Sequence, residues 1–178
     1  MNSVQIIKAL DINAIKNTQQ NRYPVLLIDK IINLLPGKKA TGIKCFTYNE
    51  WYFPGHFDDD PNVPGTIQIE CMAQTLLMTF LCLSEFQGMK ANASMYRKIS
   101  FKRRIVPGDV LIMEADLRSF KRGVAIGSVI GRVADEDACS GDFVIVIPDI
   151  INKYSPSNAI FTINKTIESG NYGNQSNI

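Results

Sequence analysis

Residues 66–86 read TIQIECMAQTLLMTFLCLSEF. The run holds no Gly or Pro and no strict alternation of apolar and polar positions, which favours a helix over a strand. It is apolar nearly all round, so it must be covered on most sides, by a sheet wrapped around it or by a partner chain. Its length is that of a membrane span, yet Gln68, Glu70 and Gln74 lie near its start and Glu85 at its end. A bilayer penalises a central acid by about 2.5–3.5 kcal/mol. The expectation is a buried helix of a soluble domain and no membrane span.

Upstream of this helix, residues 1–20 mix apolar and polar positions at helical spacing, with Ile6, Leu10 and Ile15 as anchors, and predict a short leading helix or two. Val25 to Leu34 is apolar and β-branched and ends at Pro36-Gly37. Lys38 to Tyr48 resumes with Thr41, Ile43, Cys45 and Thr47 on alternate positions, which predicts a hairpin-like strand pair. Downstream, strands are expected at Met95–Phe101, Val110–Phe120, Val124–Ala134 and Phe143–Ile147. Turn signals separate them at Pro107-Gly108-Asp109, Arg122-Gly123 and Asp135-Glu136-Asp137. Leu111, Met113, Ala115 and Leu117 alternate with Glu114, Asp116 and Arg118, as on a half-exposed antiparallel sheet. These elements describe an α+β domain with the helix lying on a curved antiparallel sheet, spanning residues 1–150. Residues 151–178 form a polar C-terminal tail rich in Asn, Ser, Gly and Lys, expected to be loosely ordered.

The 178 residues, 46% apolar and 20% charged, fit one globular core. The formal charge is +2, and the basic residues are scattered apart from Lys102, Arg103 and Arg104 beside Arg97 and Lys98, so no nucleic-acid partner is expected. Met1 to Gln5 carry no secretory signal, and Cys45, Cys71, Cys82 and Cys139 form no CxxC pair. They read as reduced thiols of a cytoplasmic protein, behaving as small core hydrophobes. With one histidine in the chain, no zinc-finger spacing exists and no metal is expected.

That histidine, His56, lies in Phe53-Pro54-Gly55-His56-Phe57, a loop stiffened by Pro and Gly just ahead of the apolar helix. Alone it would read as a structural histidine making a loop hydrogen bond. Glu70 is the stronger anomaly, since a carboxylate in an apolar helix must be paired or kept neutral. Gln74, four residues on and on the same face, can hydrogen-bond and orient it. Together they suit elimination of water from a β-hydroxyacyl thioester. The imidazole takes the α-proton, and a desolvated carboxylic acid protonates the leaving hydroxyl. Pro64-Gly65 opens the helix with a residue lacking a side chain, so its free N–H groups can approach the thioester oxygen as negative charge builds there. Nothing in this chemistry calls for a cofactor, and no GxGxxG, P-loop or HExxH is present.

Four segments then occur in order: Asn21-Arg22-Tyr23-Pro24-Val25-Leu26-Leu27-Ile28-Asp29; Pro54-Gly55-His56-Phe57 with Pro61 and Pro64-Gly65; Ile69-Glu70-Cys71-Met72-Ala73-Gln74; and Phe101 with Val106-Pro107-Gly108-Asp109. Over about residues 11–147 the chain resembles the 3-hydroxyacyl-acyl-carrier-protein dehydratases of the FabZ type. The resemblance implies a hot-dog fold, catalytic roles for His56 and Glu70, and a thioester contact at Gly65, with Pro64, Phe57 and Gln74 lining the substrate site. It implies a substrate carried on the phosphopantetheine of acyl carrier protein, and a homodimer or trimer of dimers whose active sites are shared between protomers. The related FabA type, which also isomerises, uses Asp at the position of Glu70, so isomerisation is not expected. Lys98, Lys102, Arg103 and Arg104 are expected to dock the acidic carrier. The chain departs from the family with Asn21 in place of His and with Asp58-Asp59-Asp60 after the catalytic loop. The gating tyrosine aligns on Tyr96 only with a gap, and ungapped counting gives Asn92. A hot-dog thioesterase, or an inactive acyl-binding subunit, is the alternative reading.

Overall fold

The computed structural model describes residues 7–154. Strand β1 (Ile7–Leu10) and helix α1 (Ile12–Thr18) lead the chain, and Asp11 caps the helix by accepting from the Ala14 N–H at 2.8 Å. The leading residues are thus strand before helix. Ile7 to Leu10 bind the free edge of β2 (Lys30–Leu35), a tertiary pairing that outweighs their helical spacing. A turn at Pro36-Gly37, with Gly37 at φ +73°, joins β2 to β3 (Lys39–Cys45). The strand expected from Val25 starts only at Lys30, because the backbone of residues 25–28 bonds to a helix side chain instead of a neighbouring strand.

The apolar run forms α2 (Gly65–Leu81). It stops five residues short of Phe86, where Leu83 to Gly88 fold into turns that end with Gly88 at φ +74°. Four strands follow: β4 (Asn92–Phe101), β5 (Val110–Lys121), β6 (Val124–Val133) and β7 (Glu136–Val146). β7 begins well before the expected Phe143, because Ala134 and Asp135, both at positive φ, turn the hairpin and leave Glu136 in the ladder. Helix α3 (Pro148–Tyr154) takes the first residues of the expected tail, and the rest of that tail lies outside the described residues.

The seven strands of the described residues form one antiparallel sheet in the order β1-β2-β3-β5-β6-β7-β4. The alternation read on β5 holds, with Leu111, Met113, Ala115 and Leu117 buried and the polar residues between them outward. α2 lies on this inner face, and every residue from Cys71 to Leu81 is buried within the single chain. Burying a side chain such as Leu76 or Phe80 stabilises the fold by about 1.5–3 kcal/mol. The close fit depends on small residues in the sheet. A Cβ at Gly42 would lie 2.5 Å from Thr75 Oγ1, and one at Gly127 would lie 2.6 Å from both a Leu76 methyl and the Asp116 carbonyl. Cys71 and Cys139 belong to the core, and burial pushes the Cys139 thiol up to about 12. Cys45, by contrast, is exposed on the solvent side of β3. No helix among the described residues is long and apolar enough to cross a membrane.

Candidate active site

His56 closes a 3-10 turn over Phe53–Gly55, which Pro54 favours and the buried ring of Phe53 anchors. The His56 N–H donates to the Phe53 carbonyl at 3.1 Å. Its Nδ1 lies 2.8 Å from the Asn62 carbonyl oxygen, which can only accept. Nδ1 therefore carries the proton, and Nε2 of the neutral ring keeps its lone pair for a substrate proton. Phe57 lies beside the imidazole at 4.4 Å between ring centres, is exposed, and holds φ +61°.

Pro64 enters α2 from an extended backbone, and its carbonyl accepts the first helical bonds from Ile67 and Gln68. Gly65 is the first helical residue, where backbone N–H groups have no intrahelical partner. A Cβ there would meet the Phe101 ring at 2.8 Å, so a larger residue would have to push aside that half-exposed ring at the end of β4. A cavity of about 430 Å³ opens at this point, lined by Gly65, Gln68, Phe101, Lys102, Arg103 and Arg104 among others.

Glu70 sits one turn further along. Its Oε1 accepts from Gln74 Nε2 at 2.7 Å and from Asn21 Nδ2 at 3.4 Å. Gln74 is itself fully determined: Nε2 also donates to the Val25 carbonyl at 2.7 Å, and Oε1 accepts from the N–H groups of Leu27 at 2.9 Å and Ile28 at 3.4 Å. Glu70 lines a second cavity, of about 320 Å³, with Asn21, Val25, Leu77, Asn92 and Tyr96. Both candidates for the gating position, Tyr96 and Asn92, face this one space. Burial, and then the charge of Glu70, push the Tyr96 hydroxyl above its ordinary value. His56 lines neither cavity.

The basic cluster is less free than its sequence suggests. Lys102 pairs with Asp137 at 2.9 Å, Arg103 with Asp109 at 3.4 Å and Glu136 at 3.2 Å, and Arg104 with Asp60 at 2.6 Å. Asp60 thus neutralises a cation beside the histidine loop, while Asp58 and Asp59 are exposed. Lys98 is exposed on β4, at φ +50° within an irregular stretch of the ladder. Sequence reading missed Gln68, which is 4% exposed; its Nε2 donates to the Val63 carbonyl at 3.1 Å, and its Oε1 has no partner among the described residues. A polar residue at a helix start gives no sign of such burial. Among the described residues, no group of three or more His, Cys, Asp or Glu side chains is placed to hold a metal ion.

The curled sheet and its enclosed helix are those of the hot-dog class. The dehydratase heterocomplex ApeI:P from Xenorhabdus doucetiae shares the fold, with a TM-score of 0.67 over 85% of this chain and 96% of that one at 14% identity. The chain belongs to the family of FabA-like domains, which matches residues 20–142. It is 40% identical over 139 residues to the 3-hydroxyacyl-acyl-carrier-protein dehydratase FabZ of Clostridium novyi, covering 78% of this chain and 98% of that protein. The FabZ dehydratase of Syntrophomonas wolfei is 38% identical over 143 residues, covering 79% of this chain and 99% of the relative.

Proposed function

We propose that the chain dehydrates 3-hydroxyacyl groups carried on acyl carrier protein, giving trans-2-enoyl thioesters as a step of fatty-acid biosynthesis, in a cytoplasmic setting that keeps its thiols reduced. The observation that carries this is the 40% identity along nearly the whole of a curated dehydratase. In the reaction His56 Nε2 removes the C2 proton, the freed electron pair forms the C2–C3 double bond, and Glu70 protonates the departing C3 hydroxyl as water. The N–H of Gly65 holds the thioester oxygen, Pro64 and Phe57 bound the site, and Gln74 orients Glu70.

The site is read as shared between two protomers, His56 of one facing Glu70 of the partner subunit. Two observations support this. His56 does not line the Glu70 cavity of its own chain. β4 is also an edge strand that presents Met95, Tyr96 and Phe101, each more than 40% exposed, as a ready pairing edge. The need to cover α2 is not an argument for a partner, because its own chain already buries it. The carrier is read as docking on Lys98, Lys102, Arg103 and Arg104, with the phosphopantetheine arm passing through the cavity that ends at Gly65.

Hydration of crotonyl and longer enoyl thioesters, followed by loss of ultraviolet absorbance, tests the reading. His56→Ala and Glu70→Gln should each lose at least about 10²-fold in turnover with melting temperature maintained. Release of free thiol without hydration would establish the thioesterase alternative, and a folded wild type with neither activity would establish an inactive subunit.

A further inference from the structure

A cavity of about 210 Å³ lies beside the one that holds Glu70 and shares Asn21, Leu77, Ala91 and Asn92 with it. Leu77, Leu81 and Met89 are among its apolar lining residues, and Gln19, Gln20 and the exposed Lys90 among its polar ones. Gln19 is 1% exposed, and neither its amide nitrogen nor its amide oxygen has a hydrogen-bond partner among the described residues. An amide buried in that state has given up its bonds to water without replacing them, which destabilises the fold.

The segment cannot easily swing to relieve the deficit. The Gln19 N–H donates to the Ile15 carbonyl at 3.0 Å, and its carbonyl accepts from Arg22 Nη1 at 2.8 Å. On either side, the Thr18 carbonyl accepts from the Gly88 N–H at 2.9 Å, and Gln20 Nε2 donates to the Gly88 carbonyl at 2.7 Å. Asn21, which lines both cavities and bonds to Glu70, lies within about 7 Å of Gln19 along the chain.

We propose that the two cavities form one acyl channel running from Glu70 to the Gln19 amide, and that it selects acyl chains whose far end carries a hydroxyl or amide over plain alkyl chains of the same length. This rests on the reading that Glu70 acts on a 3-hydroxyacyl thioester. A hydroxyl or primary amide donates to Oε1 and accepts from Nε2, so it completes both groups at once. An alkyl end leaves both unmade. A carboxylate satisfies Nε2 and meets Lys90, but sets its charge against Oε1.

The test compares hydration of enoyl-pantetheine thioesters of octanoyl length, with the chain ended by methyl, by hydroxyl or by carboxylate. Wild type should favour the hydroxyl-ended chain over the methyl-ended one by at least about tenfold in kcat/KM, and Gln19→Leu should bring that ratio to about one or below. A wild-type ratio near one, a ratio that Gln19→Leu does not move, or a preference for the carboxylate overturns the proposal. Should Gln19→Leu fail to fold, judged by thermal melting, the wild-type ratio alone decides. Crotonyl-pantetheine, too short to reach Gln19, separates the two levels: no turnover by wild type removes the dehydratase reading, whereas turnover without end-group preference removes only the channel.

Discussion

Glu70 takes its position from Gln74, and Gln74 takes its own from the backbone of Val25, Leu27 and Ile28. One amide thus ties a carboxylate in the helix to the segment that borders its cavity. Gln74→Leu keeps the volume but leaves the Leu27 N–H and the Val25 carbonyl without partners, at a cost of about 1–3 kcal/mol each in urea unfolding. It also frees Glu70, so kcat for crotonyl hydration should fall at least about tenfold and the acid limb of its pH profile should move, while Gln74→Glu should not restore the profile. A change in stability with an unaltered pH profile would mean that Gln74 serves the fold alone.

Among the elements, β3 carries a charge on its buried face. Lys44, 8% exposed, pairs with Glu50 at 2.6 Å and Asp29 at 3.6 Å, and so joins the strand to the loop that leads to His56. Burial alone would lower its pKa, but the hydrogen bond to Glu50 and the charges of Asp29 and Glu50 outweigh it and raise the ammonium above its ordinary 10.5. Since the folded value exceeds the unfolded one, the pair's contribution is complete below pH 10.5 and is lost as pH rises through the folded value. Lys44→Met should be less stable at pH 7 by about 1–3 kcal/mol, because Glu50 loses its partner while Asp29 keeps the Cys45 N–H, and its alkaline loss of stability should be shallower than that of wild type. Unfolding free energies from pH 7 to 11 measure both.

At the same scale it is plain why some elements could be read in advance. α2 was legible because an apolar run without Gly or Pro is a local property, and β5 because its alternation is strict. β1 and the first half of β7 were not. Lys8-Ala9-Leu10 is a strand only by leaning on β2, and Ala138-Cys139-Ser140-Gly141 lacks β-branched residues yet is held in the ladder by β6. His56, Glu70 and Gln74 stood out as chemical anomalies. Gln68 and Gln19 did not, since their burial comes from distant chain that local sequence does not report.

For the whole molecule, the exposed edge of β4 and the ion-paired basic cluster set two expectations. Light scattering at micromolar concentration should give a dimer or a multiple of one, and a monomer would contradict the shared site. Arg104→Glu should raise KM for carrier-bound substrate, increasingly so as salt falls, and leave a short pantetheine substrate little changed. Because the same change sets Glu beside Asp60, equal damage with both substrates would place Arg104 in support of the histidine loop rather than in docking.

The strand order also carries a history. β5, β6 and β7 form one continuous meander from Val110 to Val146, joined by tight turns, whereas β4 must cross the sheet to reach the far side of β7. Contacts near in sequence form first, because closing longer loops costs more entropy. The meander is therefore expected to be the nucleus, with β4 and β3, whose partners lie further along the chain, joining after it. In stopped-flow refolding, Val129→Ala in β6 should slow folding, while Ile99→Ala in β4 should chiefly speed unfolding. The edge offered to a second copy would then lie outside the nucleus, so that assembly waits on a step that follows the meander.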